Sequence, residues 1–169
     1  MKKFFSTVLV ALFAAFAFNS CETMNPDKDF SGTIYGLWIV DKVEVEASLI
    51  IDGDPHTTVS TTNFTQDYCR LNLDPSGFAS LWYNLDLDVE KFQYNNDTKK
   101  IEFKESVNAG DNGKAIVLLG FYDVELKGDQ MIFHQPEASI GNDSYGASER
   151  ATYYFHRAPV SEKPKDTTN

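Results

Sequence analysis

Basic residues are scarce in this 169-residue chain: 15 Lys and Arg stand against 25 Asp and Glu, a formal charge of −10. That imbalance excludes a surface built to track a nucleic-acid phosphate backbone. Two cysteines are too few for a disulfide scaffold or for a zinc site built on cysteines. Glycine-rich phosphate loops and a Gly-x-Ser-x-Gly elbow are missing, and no convincing amphipathic helix stands out. No apolar run reaches the ~20 residues that span a bilayer. What the chain does have is apolar material, 42% of its residues, with 13 Phe, 8 Tyr and 2 Trp. That suffices for the core of one domain.

The first twenty residues differ in composition from the rest. Lys2 and Lys3 precede an apolar run from Val8 to Phe18, and Asn19-Ser20-Cys21 closes it. A positive start, an apolar middle and a small-residue end make a signal peptide, so residues 1–20 are expected to be removed. Cys21 directly follows Phe18-Asn19-Ser20. This junction resembles a bacterial lipobox, and its relaxed Phe18 and Asn19 resemble those of Bacteroidetes lipoproteins. The resemblance implies acylation of Cys21, cleavage just before it, and attachment to the membrane of the bacterial cell envelope, at the outer membrane with the leaflet open. Several acyl chains on one cysteine satisfy the rule that a single chain anchors only weakly. An ordinary secretory signal cleaved elsewhere is the competing reading. Without residues 1–20 the chain keeps 13 basic and 25 acidic residues, a formal charge of −12. Residues 21–31, small, polar and acidic with Pro26, read as a tether. Its acids resemble a surface-export signal, with a solvated linker as the equal alternative.

From Gly32 onward the apolar period is two. Val43, Val45, Ala47, Leu49 and Ile51 share one parity, against Lys42, Glu44, Glu46 and Ser48 on the other, the pattern of a half-buried antiparallel strand ending at Asp52-Gly53-Asp54-Pro55. Further strands are predicted over Thr57–Thr62, Tyr68–Leu73, Phe78–Leu85, Val89–Tyr94, around Ile101 and Phe103, Ala115–Lys127, Met131–His134 and Ala151–His156. Asp74-Pro75-Ser76-Gly77 carries a type I turn signature, and Asn95-Asn96-Asp97-Thr98 is a second turn cluster. Gln135–Arg150 reads as a long polar rim segment, and 158–169 as a disordered tail. Val117, Leu119 and Phe121 oppose the apolar parity of their own strand, so that strand's outer half calls for cover on both faces. The count is about eight antiparallel strands in up-and-down order, the number that closes a small barrel; a β-sandwich or half-open barrel is the alternative.

Gly36-Leu37-Trp38, at the head of the first long strand, resembles the Gly-x-Trp signature of lipocalins and related calycins, and the strand order resembles lipocalin-like lipoproteins of Bacteroidetes over residues 32–157. The resemblance implies that Trp38 packs across a closed barrel end, with Arg157, or alternatively Arg150, lying over it. Trp38 falls on the parity opposite to Val43 and Val45, so a bulge near Asp41 is required if all three point inward. The helix and disulfide that follow a lipocalin barrel have no counterpart here.

No residue set carries catalysis, and no enzymatic activity, cofactor or metal is expected. His56, His134 and His156 are dispersed, although the last two are conceivable metal ligands near Asp143 or Glu149. Cys69 shares the parity of Leu71 and Leu73 and reads as a core thiol. Asp86, Asp88 and Glu90 lack the glycine and terminal glutamate of a calcium loop. Trp82, Phe92, Tyr94, Phe103, Tyr122, Phe133 and Tyr154 are the candidate ligand-binding residues; they either line a pocket or fill the barrel. The leading expectation is a membrane-anchored lipoprotein binding a small hydrophobic or amphipathic ligand without catalysis. The alternative is an interaction module that meets a protein or glycan partner through its outer face or rim. No nucleic-acid partner is expected.

Overall fold

The computed structural model describes residues 30–111, 114–142 and 144–159. The expected signal peptide, Cys21, the expected tether up to residue 29 and the expected tail from residue 160 lie outside the described residues, as does Asp143. Ten strands are formed and no helix is present among the described residues: β1 (Gly36–Ile51), β2 (Asp54–Asn63), β3 (Cys69–Leu73), β4 (Phe78–Tyr83), β5 (Asp86–Asn95), β6 (Lys100–Asp111), β7 (Lys114–Lys127), β8 (Gln130–His134), β9 (Ala138–Gly141) and β10 (Tyr145–Arg157). Eight of them follow one another around a closed antiparallel barrel, β1-β3-β4-β5-β6-β7-β8-β10, with β10 pairing back onto β1. The expected all-β, up-and-down barrel is therefore the fold, with two strands in addition.

Those two strands come from the seam. β3 pairs with the start of β1, Gly36–Ile39, while β2 pairs with its remainder, Lys42–Ile51. In the same way β8 pairs with Thr152–His156 of β10, and β9 with Gly146–Glu149. The β1–β10 ladder thus runs on beyond the barrel wall and carries β2 and β9 on its flanks, a four-stranded flap in the order β2-β1-β10-β9. The β1–β2 hairpin closes on Asp52 and Gly53, whose φ angles of 52° and 84° are those a two-residue hairpin turn demands. The stretch 135–150, expected as a polar loop, is β9, a tight turn and the first half of β10. Its small and polar residues alternate too weakly to announce strands.

β1 changes parity on the way. Val40 pairs with Phe155 but Lys42 with Tyr154, leaving Asp41 as the extra residue of a bulge. Trp38 and Val40 before it, and Val43 and Val45 after it, all pack against the core. The bulge is fixed from two sides, by the Phe64 amide donating to the Asp41 carbonyl at 2.8 Å and by Asp41 Oδ1 bonding His156 Nδ1 at 2.6 Å.

Inside, aromatic rings from five strands interlock. Phe103 meets Phe92, Tyr122 and Phe133 with centroids 6.0–6.3 Å apart, and Phe133 meets Phe155 at 4.9 Å. Offset and edge-on contacts of this kind add to the burial of the rings themselves. Two expected interior residues are corrected here. Trp82 lies on the outer face of β4, where Leu81 and Tyr83 are the buried positions. Tyr154 likewise faces out between the buried Tyr153 and Phe155, donating to Glu44 Oε2 at 2.7 Å with Lys42 Nζ 4.4 Å from its ring. Both sit in runs that are apolar at every position, where a period of two cannot say which parity is inside. Urea unfolding will separate the two classes: Phe103→Ala is expected to cost ~3–5 kcal/mol by emptying a buried site, and Trp82→Ala about 1 kcal/mol or less.

Candidate functional site

One barrel end is built around Gly36, Trp38 and Arg157. Trp38 is fully buried and its Nε1 donates to the Ile34 carbonyl at 2.7 Å. The Arg157 guanidinium lies over the indole with Cζ 4.0 Å from the ring, a cation–π contact. Its Nη1 donates to the Tyr35 carbonyl at 2.9 Å and its Nη2 to the Thr33 carbonyl at 2.7 Å. The planar fork therefore ties the entering chain to the last strand. Gly36 is required twice over: its φ is +103°, and a Cβ there would stand 3.0 Å from Arg157 Nη1 and 3.3 Å from the Phe30 ring. Arg150, the other candidate, is distant from this end and pairs with Glu46 on the flap at 2.9 Å. The ladder runs slightly past the expected boundary, since the Ala158 amide still donates to the Leu37 carbonyl.

The opposite end is covered as well. Phe64 is fully buried and meets Tyr83 edge-on at 5.7 Å. The β6–β7 hairpin leans across this mouth: Lys114 Nζ donates to the Asn63 carbonyl at 3.1 Å and to Asp67 Oδ2 at 2.7 Å. Asp88 and Asp86 accept the Asn108 and Gly110 amides at 2.8 and 3.0 Å. These carboxylates, weighed in the sequence against a calcium loop, serve as anchors for the hairpin. From the barrel-wall part of β10, Tyr153 donates its hydroxyl to the Val117 carbonyl at 2.9 Å, and the Leu119 amide donates to the Tyr122 hydroxyl at 3.0 Å. Burial holds both phenols above their ordinary pKa. Of the candidate ligand residues, Phe92, Phe103, Tyr122 and Phe133 come together inside this covered volume, and Tyr94 sits half-buried at its edge.

Among the described residues, the remaining titratable groups form no reactive constellation. Cys69 is fully buried, and desolvation pushes its thiol up to about 12, the opposite of an activated nucleophile. His134 lies opposite Thr152 and His156 opposite Gln130, so the two are separated along β10. Each faces its own carboxylate, Glu125 at 3.6 Å and Asp41 at 2.6 Å. No group of three His, Cys, Asp or Glu side chains able to hold a metal occurs among the described residues.

A groove of about 660 Å³ lies beside the Trp38 end, lined by the entering segment Gly32–Tyr35, by Tyr94, Asn96 and Lys99 of the β5–β6 hairpin, and by Val124–Leu126 of β7. Its walls are apolar at Ile34, Tyr35, Val124 and Leu126, with Lys99, Glu125, Asn96 and the two tyrosine hydroxyls supplying polar points. Tyr94 is the only sequence candidate in it. The other lining residues come from three separated segments and share no linear motif, so no sequence pattern could have joined them.

Comparison with protein-family models, with curated proteins and with solved structures finds no match. The closed eight-stranded antiparallel barrel is compatible with a lipocalin-like fold.

Two measurements test these ends of the barrel. Arg157→Ala is expected to lower stability by ~2–4 kcal/mol and to change the near-UV signal of Trp38, with Arg157→Lys recovering less than half, because an ammonium cannot fork to two carbonyls while stacking. Cys69 is expected to resist a thiol reagent at pH 8 until the protein unfolds. Its thiol ionises near 9.0 ordinarily and near about 12 when folded, so the unfolded state sheds this proton first. Stability must then fall as pH rises between those values, and Cys69→Ala must flatten that fall.

Proposed function

We propose that the chain is a non-catalytic, lipid-anchored lipoprotein of the bacterial envelope, lipocalin-like in architecture, whose barrel is a scaffold for binding a protein or glycan partner on its exterior. The observation that carries this reading is the filled interior. Phe103, Phe133 and Tyr122 are at most 1% exposed and in ring contact with their neighbours, so the volume a calyx would offer to a guest is occupied. Exposed apolar side chains lie outside it. Leu49, Ile51, Ile140 and Tyr145 share the flap face continuous with the barrel interior and are exposed there. Val117, Leu119 and Phe121 form a second stripe on the outer face of β7, about half exposed. Contiguous apolar surface of this kind marks contact sites.

The signal peptide, the lipobox-like junction and the short acidic tether support the envelope location. A second reading, a small amphipathic ligand, is favoured by the groove beside Trp38, whose apolar walls, with Lys99 and Glu125 also on its lining, suit a molecule with one polar end.

The readings part on measurable grounds. Cys21→Ala is expected to move the protein from the membrane fraction to the soluble one. Leu49→Asp with Ile140→Asp is expected to weaken capture of envelope proteins or glycans at least tenfold while leaving the melting temperature within a few degrees. A thermal shift with a lipid or metabolite panel that disappears in Tyr94→Ala would instead select the groove, and native mass spectrometry would then find the guest bound.

A further inference from the structure

The flap exposes one long edge that the fold leaves open. All ten residues of β2 are exposed, and among the described residues the strand pairs only with β1. On its other side, the one bond from a described residue is that of Lys114 Nζ to the Asn63 carbonyl at the barrel end of the strand. Proteins ordinarily guard such edges with lysines, prolines, bulges or short length. β2 has no lysine or arginine, is ten residues long and is free of bulges, and its one proline, Pro55, stands next to the hairpin turn. His56–Thr62 is therefore an unguarded template of β-branched and hydroxyl residues.

We propose that β2 is a self-association edge, at which two copies of this chain pair β2 with β2 antiparallel and join their flaps into one eight-stranded sheet. A two-fold axis normal to the sheet brings residues of the same face opposite one another. With that axis at Val59, the strand is its own complement: Val59 meets Val59 of the second copy, Thr58 meets Ser60, Thr57 meets Thr61, and His56 meets Thr62. Hydroxyl–hydroxyl and β-branched pairs of this kind are favourable neighbours across an antiparallel ladder. Val59, 60% exposed on the polar outer face of the flap, gains an apolar neighbour.

Charge selects a second copy here. The chain carries an excess of ten acids, and like charges placed opposite each other oppose pairing. Asp54 is the only acid in β2, and with the axis at Val59 it falls outside the paired residues. β2 is thus an edge along which two strongly negative molecules can approach without setting carboxylate against carboxylate. The short edge β9 offers four residues and begins directly after Glu137. This inference does not rest on the partner-binding reading above, because β2 lies on the flap's flank and neither apolar stripe is needed for the pairing.

The full chain, expressed in membranes of a Gram-negative host, provides the test. Val59→Cys is expected to form a disulfide-linked dimer under mild oxidation, while Leu85→Cys, more open to solvent in the β4–β5 turn, stays at the background of the parent chain. In detergent-solubilised full chain, Val59→Lys sets two ammonium groups against each other at the axis. It is expected to weaken the dimer at least tenfold by sedimentation equilibrium without moving the melting temperature, since Val59 points to solvent. Self-pairing is overturned if Val59→Cys cross-links no better than Leu85→Cys, if Val59→Lys leaves the association unchanged, or if the Val59→Cys adduct has the mass of a different protein.

Discussion

The architecture depends on one extra residue. Without the bulge at Asp41, β1 could keep Trp38 and Val40 inside or Val43 and Val45 inside, but not both sets, because a strand exposes alternate residues to opposite faces. With it, a single sixteen-residue strand closes the barrel at one end and supports the flap at the other. The bulge also accounts for where β2 stops. The Phe64 amide bonds the Asp41 carbonyl, the chain leaves the ladder at that point, and β3 rejoins β1 below the irregularity. Phe64 is thereby delivered to the barrel mouth, so the same backbone feature that splits the strand supplies the ring that covers the interior.

Closing both ends has a functional corollary. An eight-stranded barrel is just wide enough either to be filled by its own side chains or to hold a small guest. Here bulky rings take the first option, and the polar groups among them are satisfied internally: Trp38 by Ile34, Tyr153 by Val117, Tyr122 by Leu119. These bonds matter because a buried donor left unpaired costs about as much as a missing methylene or more. A guest entering the interior would have to displace rings that already satisfy one another. Surface features, the flap and the groove beside Trp38, meet no such obstacle.

The sequence was legible where period and geometry agreed. Alternation in β1 and β3 marks strands, and the parity conflict between Trp38 and Val43 points to the bulge near Asp41. The Gly36-x-Trp38 motif was readable because its glycine answers a steric demand, the Arg157 guanidinium 3.0 Å from where a Cβ would stand. What could not be read was orientation in runs apolar on both faces. In Leu81-Trp82-Tyr83 and Tyr153-Tyr154-Phe155 the inside is decided by partners across the ladder, with Lys42 and Glu44 giving Tyr154 a place on the outside. β9 was invisible for a different reason: Ala-Ser-Ile-Gly has little to bury, and it is a strand only because β10 beside it presents an open ladder. The groove was legible only at Tyr94, since its walls are assembled by closure of the barrel and not by any one stretch of chain.

The flap turns the strongest constraint on the fold into its most exposed surface. Barrels close so as to have no edges, and this one does close, but the β1–β10 ladder that achieves closure extends past the wall and creates two new edges, β2 and β9. Its outer face is held by polar contacts that ask nothing of a neighbour, Arg150 with Glu46 and Ser48 with Thr57. Its inner face is covered near the barrel, where Val43, Val45 and Ala151 pack with the core, and uncovered at the tip, where Leu49, Ile51, Ile140 and Tyr145 are not. Burial alone would favour a shorter seam ending at Val45. The additional length stabilises nothing in the barrel itself, and a segment that contributes surface without contributing core is the part of the molecule whose shape is best explained by what lies outside it.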